Sequence, residues 1–122
     1  MPFSVRYNSE LNAVETNFSG SVTEAQLRAQ IAESCEIAAT HGAYYAISSF
    51  TEAELRISIA FIYNIPELYE QIGANRPIRL ALVNANEMND EIIGFYQLVS
   101  QNRGWNVAVF NDKREAEAWL RD

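Results

Sequence analysis

The hydrophobic period of this chain switches back and forth between two and about 3.6 residues, and that alternation restricts the fold more than any single motif does. Phe3, Val5 and Tyr7 alternate with Ser4 and Arg6, the period of a half-buried strand. The turn formers Asn8-Ser9-Glu10-Leu11-Asn12 follow, and Val14, Thr16 and Phe18 resume the extended pattern. A β-hairpin is therefore predicted at the start. Gly20 and the capping box Ser21-Val22-Thr23-Glu24 then change the period. Leu27, Ile31, Cys35 and Ala38 recur at helical spacing, and His41-Gly42 closes a helix predicted over 22–41.

The same switch repeats. Tyr44 to Phe50 is rich in residues that suit a pleated surface, whereas Thr51 to Arg56 is polar and reads as a loop or a frayed strand end. Ser58 is placed to cap a second helix, which Pro66 should kink or restart, with Asn64 and Glu67 as a reciprocal pair and Gly73 as the stop. Ile78 to Val83 is the most apolar strand candidate and reads as central. Asn89 is the expected cap of a third helix with the stripe Ile92, Phe95, Tyr96 and Val99, stopped by Gly104. Trp105 to Phe110 returns as a strand, and the box from Asp112 to Glu115 opens a last helix carrying Ala116, Trp119 and Leu120. The order β-β-α-β-α-β-α-β-α predicts an α/β fold with a mixed, mainly parallel sheet, one domain over residues 1–122.

Composition narrows the function. A chain of 122 residues buries roughly two-thirds of its unfolded surface, enough for one core. Its formal charge of -7, with nine basic residues scattered singly or in pairs, should repel nucleic acid and anionic membranes at long range. No apolar run approaches the roughly 18 residues that a transmembrane helix needs, and the first six residues lack the pattern of a secretory signal. A soluble, cytoplasmic protein is expected. Cys35 and His41 are the sole residues of their kinds, so an intrachain disulfide and a Cys-rich zinc site are excluded. Six residues apart on one helix, they sit about 120° apart around the axis and about 9 Å apart along it, too far for a catalytic dyad. With no glycine-rich phosphate loop, the expectation is no catalytic residue, no metal and no cofactor.

Several stretches carry a family likeness: Asn17 to Thr23, Ile62 to Leu68, Ile78 to Val83, Gln101 to Phe110 and Glu115 to Leu120. With the element order, they resemble the SpoIIAA-like family of the STAS and SEC14 superfamily, across nearly the whole chain. The resemblance implies three things. Anti-anti-sigma members dock onto a partner kinase and are switched off by phosphorylation of a serine at the start of the second helix, within a motif close to Asp-Ser-Ser-Gly. SEC14-type relatives enclose lipids, and small stand-alone bacterial relatives have no assigned role. Ser58 is the residue nearest the phosphoacceptor position by topology, but it stands as Ile57-Ser58-Ile59 without the motif.

Three candidate features follow from the residues themselves. Ser58 is a helix cap by residue type and a phosphoacceptor by position. The run from Ile57 to Ile65 is apolar on more than one side if helical, so Ile57, Phe61, Ile62, Tyr63 and Ile65, with Phe95 and Tyr96, form a buried helix, a ligand pocket or an interface. Asn84-Ala85-Asn86, with Met88 and Asn89, follows the central strand, where open α/β sheets place ligands. The leading expectation is a non-enzymatic interaction module that binds a protein partner or itself as a homodimer. Its rival is a carrier or sensor of a small apolar, lipid-like ligand.

Overall fold

The opening alternation pairs on itself. In the computed structural model, which describes residues 2–122, β1 (Phe3–Asn8) runs antiparallel to β2 (Ala13–Thr23), with Phe3 opposite Phe18 and Asn8 opposite Ala13. Asn12 turns the chain at φ 52°, a left-handed region that asparagine enters more readily than most residues with a side chain. Strand β2 continues past Phe18 through Gly20, which supplies a φ of 69°.

That extension corrects the predicted helix start. Ser19 to Thr23 lie in parallel register with Glu52 to Arg56, so Val22 belongs to the strand and Ser21 is extended. Helix α1 (Glu24–His41) is capped instead by Thr23, whose hydroxyl accepts from the Gln26 amide while the Gln26 side chain accepts from the Thr23 amide. The same pairing makes the polar segment 51–56 the second half of strand β3 (Tyr45–Arg56). Its polarity reflects a ribbon that runs beyond the rest of the sheet, since β4 (Arg79–Val83) pairs with β3 only from Tyr45 to Ser49.

The second helix is two helices. Ser58 caps α2 (Ile59–Tyr63), and α3 (Ile65–Ile72) begins with Pro66 near its start, where a missing N–H costs nothing. The expected Asn64–Glu67 cap does not form, because the Asn64 amide donates back to the Ala60 carbonyl. A 3-10 turn (Glu87–Asn89) leads into α4 (Asp90–Asn102), and β5 (Val107–Phe110) and α5 (Lys113–Arg121) complete the chain. The five strands lie in the order β1-β2-β3-β4-β5, parallel except for the hairpin, so the class is α/β as the alternation predicted.

The pleat sorts the strand residues between two faces. Phe18, Phe50, Leu80 and Leu82 point toward α1 through α4 and form the larger core with Leu27, Ile31, Ile62, Ile65 and Ile93. Ala13, Ile47, Ala81 and Val83 point the other way, where α5 alone covers them with Ala116 and Leu120. Stacked Phe18 and Phe50, with centroids 4.7 Å apart, tie β2 to β3 across the larger core.

Candidate functional site

The site candidates gather at the end of the sheet where β3 gives way to α2. Ser58 is exposed, and its hydroxyl accepts from the Phe61 amide, closing the first turn of α2. The Ser58 amide donates to Glu24 at 2.9 Å, which ties α2 to the first turn of α1. The backbone amide of Ser58, and then its hydroxyl, hold the Glu24 carboxyl below its ordinary value of 4.5. Ser58 is thus a cap and a tether, with its oxygen still open to solvent.

The apolar run that follows divides by helical phase. Phe61, Ile62 and Ile65 are buried in the larger core with Tyr96, and Ile57 and Phe95 are partly buried against it. These side chains pack on one another, and Phe61 and Ile65 border a shallow groove toward Arg28 and Leu68. Tyr63 turns outward instead. It is 55% exposed and Ile59, one turn earlier, is 47% exposed, so the two share the outer side of α2. The Arg103 guanidinium sits 5.5 Å above the Tyr63 ring, and on the inner side Arg28 lies 5.3 Å from the Phe61 ring.

The asparagines after β4 do a different job from the ligand-binding one their position suggests. Asn89 is 1% exposed, and its amide donates to the carbonyls of Phe50 and Ala53 while its oxygen accepts from the Leu55 amide. Asn86 also donates to Ala53, and Thr51 accepts from the Ala85 amide. Beyond Ser49, β3 has no β4 partner, so these amides satisfy backbone groups that the ladder leaves open. This is also why Asn89 makes no side-chain cap on α4.

Two buried polar clusters had no signal in the sequence. On the α5 face, Glu15 is 2% exposed and accepts from Arg6 at 2.8 Å, Asn8 at 3.1 Å and Lys113 at 3.3 Å. Burial alone would raise its pKa. The bonds from Asn8 and Arg6 and the Lys113 charge outweigh that and leave it below 4.5. On the other face, Thr16, Gln30, Ser34 and Ser48 are all buried among apolar neighbours beside Tyr69 and Tyr96. The Gln30 amide donates to Thr16 at 2.9 Å and to Ser34 at 2.7 Å. Burial pushes both phenols well above the ordinary value of 10, with Cys35 adding to the effect at each.

Cys35 is buried, and burial raises its thiol. His41 lies against Tyr7, rings stacked 4.3 Å apart, on the side of α1 that faces β1. Among the described residues no three His, Cys, Asp or Glu side chains gather as metal ligands, and no helix is long and apolar enough to cross a membrane.

No family model matches the chain, and no curated protein matches it. Solved structures do. An uncharacterised protein of the DUF3478 family with a SpoIIAA-like fold, from Shewanella loihica PV-4, covers 97% of this chain and 93% of its own at 15% identity, with a TM-score of 0.64. The anti-sigma factor antagonist SpoIIAA in its unphosphorylated form covers 98% of this chain and 97% of its own, also at 15% identity, with a TM-score of 0.56. The chain has the SpoIIAA-like fold.

Proposed function

Because the chain carries the SpoIIAA-like fold, we propose that it is a non-enzymatic regulatory module of the cytoplasm that docks onto a protein partner through the outer side of α2. One observation carries this reading: Ile59 and Tyr63 stand exposed on the same side of a helix whose other side, at Phe61 and Ile62, is buried. A short helix anchored by two core residues presents its outer pair in a fixed orientation, which suits recognition. Arg103 over Tyr63 adds a cation at the rim of that patch. One of the matched structures, the anti-sigma factor antagonist SpoIIAA, is named in its unphosphorylated form, and that likeness supports a switch at Ser58 in this chain.

The chemistry of such a switch follows from the tether. A phosphate on Ser58 would bring about two negative charges against the Glu24 carboxylate that now accepts from the Ser58 amide. Repulsion would open the contact between α1 and α2 and shift the docking side chains.

The test compares capture by the parent and its variants. Ile59→Glu and Tyr63→Glu should each lower retention of a partner protein from the source lysate at least tenfold. Ile78→Glu, exposed but at the opposite end of the parallel strands, should leave it unchanged. Ser58→Asp should behave like the α2 variants. If both α2 variants retain the partner as the parent does, the docking surface lies elsewhere. If the same variants abolish self-association in light scattering, the partner is a second copy.

A further inference from the structure

The two ends of α2 differ in how their charges are matched. No residue from Ile57 to Pro66 is charged, so the field over the exposed pair Ile59 and Tyr63 is set by neighbouring elements. At the Tyr63 end, Arg103 holds its guanidinium 5.5 Å from the ring centroid, and its carbonyl accepts from the Arg76 guanidinium at 3.1 Å. Arg76 precedes β4 and Arg103 follows α4, yet both reach the same end of one short helix. Both are exposed, and neither has a carboxylate within ion-pair distance, since the ion pairs among the described residues use Arg6, Arg56 and Lys113.

At the Ser58 end the chain supplies its own counter-charges. Arg28, the cation beside Phe61, has Glu24 one turn away on α1 and Glu67 on the same groove. The unmatched pair at the other end is a departure for a chain of formal charge -7, with 16 acidic residues against nine basic ones. A helix C-terminus favours a cation at position 103, but it explains neither a guanidinium laid over a ring nor Arg76. Tyrosine beside arginine is a pairing on which interfaces often depend, and the arginine fork matches a carboxylate.

We infer that the segment docking on α2 belongs to a different protein and is acidic, with an apolar pair on Ile59 and Tyr63 and Asp or Glu engaging Arg103 and Arg76. This rests on the docking surface proposed above and names the chemistry of its partner. Nucleic acid and anionic membranes present phosphate over a broad front and meet the net negative charge of the whole chain, which a short segment avoids. The same geometry gives the Ser58 switch a second lever. From Ser58 to Tyr63 the helix rises about 7.5 Å, within a Debye length of about 8 Å, so a phosphate on Ser58 repels the partner's carboxylates as well as Glu24.

A display library of random peptides, panned on the parent protein, supplies the probe. We expect the peptides retained by the parent and lost on Tyr63→Glu to carry Asp or Glu beside an apolar pair. Exchanging those carboxylates for amides in the tightest such peptide should weaken binding to the parent at least fivefold in fluorescence polarisation. On the double variant Arg76→Gln, Arg103→Gln the same exchange should cost less than twofold. The double variant should melt with the parent and bind the amide peptide equally well, which separates charge from fold. Tyr63-dependent peptides that are neutral or basic overturn the assignment, as does an amide exchange that costs the same on both proteins. If no enriched peptide depends on Tyr63 or Ile59, the docking surface itself lies elsewhere. Arginine-dependent cosedimentation with phosphatidylserine vesicles, or arginine-dependent self-association, without any acidic peptide would overturn the assignment in favour of a membrane or a second copy.

Discussion

The two faces of the sheet handle buried polar groups in opposite ways. Under α5 the apolar cluster is small, yet its one buried carboxylate, Glu15, is satisfied by Arg6, Asn8 and Lys113. Under α1 through α4 the apolar cluster is more than twice as large, and the polar groups it encloses are neutral: Gln30 donates to Thr16 and Ser34, and on α4 the buried Ser100 hydroxyl has no partner among the described residues. The thin face can carry a charge because cations at its rim reach inward from solvent, Arg6 from β1 and Lys113 from α5. The thick face has no such rim near its centre, so its buried polar groups are neutral ones.

The comparison can be broken most forcefully by hollowing each core. Leu82→Ala in the larger cluster should cost about 3 to 5 kcal/mol, because residues from several helices and strands cannot all collapse into the gap. Leu120→Ala, on the terminal helix that alone covers the other face, should cost about 2 to 3 kcal/mol, since α5 can settle toward the sheet. Urea denaturation of both variants tests the order, and equal losses would mean that the faces are equally rigid.

Glu15 sharpens the contrast through pH. Its folded pKa is lowered, so its contribution is fully present above the ordinary value of 4.5 and is lost as pH falls through the lowered folded value. Glu15→Gln should cost about 1 to 3 kcal/mol at pH 7, where charge-assisted bonds become neutral ones. The gap between variant and parent should shrink as pH drops below 4.5, in denaturation midpoints measured from pH 7 to pH 3. A gap independent of pH would show that packing, not charge, carries the effect. The smallest change is expected at the other face: Ser100→Ala removes a buried hydroxyl without a partner among the described residues, so the protein should change by less than about 1 kcal/mol, toward greater stability. A loss larger than that would reveal a partner for the Ser100 hydroxyl in solution.

The elements were legible wherever local chemistry decided them, and the boundaries failed where a distant segment did. Gly42, Gly73 and Gly104 end their helices at positive φ, and Ser58 caps its helix, all from short-range signals. The start of α1 was misplaced because Ser21-Glu24 and Thr23-Gln26 are nearly equivalent boxes on paper, and strand pairing with 52–56 chooses between them. Segment 51–56 looked like a loop for the same reason. At the candidate site Ser58 was legible as a cap from its residue type, whereas the run 57–65 read as apolar on more than one side, and packing against the core decides that Phe61, Ile62 and Ile65 are buried and Tyr63 is not. The Thr16, Gln30 and Ser34 cluster could not be read, since Thr16 lies on β2 and the other two on α1, and no spacing links strand to helix. Glu15 was equally silent, being completed by a lysine 98 positions away.

The asparagine cluster beside β3 has a consequence for how copies of this protein meet. A strand that outruns its neighbour exposes a row of free backbone groups, the kind of surface on which another chain can add a strand and begin to aggregate. Asn86 and Asn89 occupy that row with side-chain amides fixed inside the protein's own fold. They act as a stopper, closing the middle of the sheet to intruding strands. The edges left for sheet-to-sheet association are the outer strands β1 and β5 and the stretch of β2 beyond Phe18 that β1 does not pair.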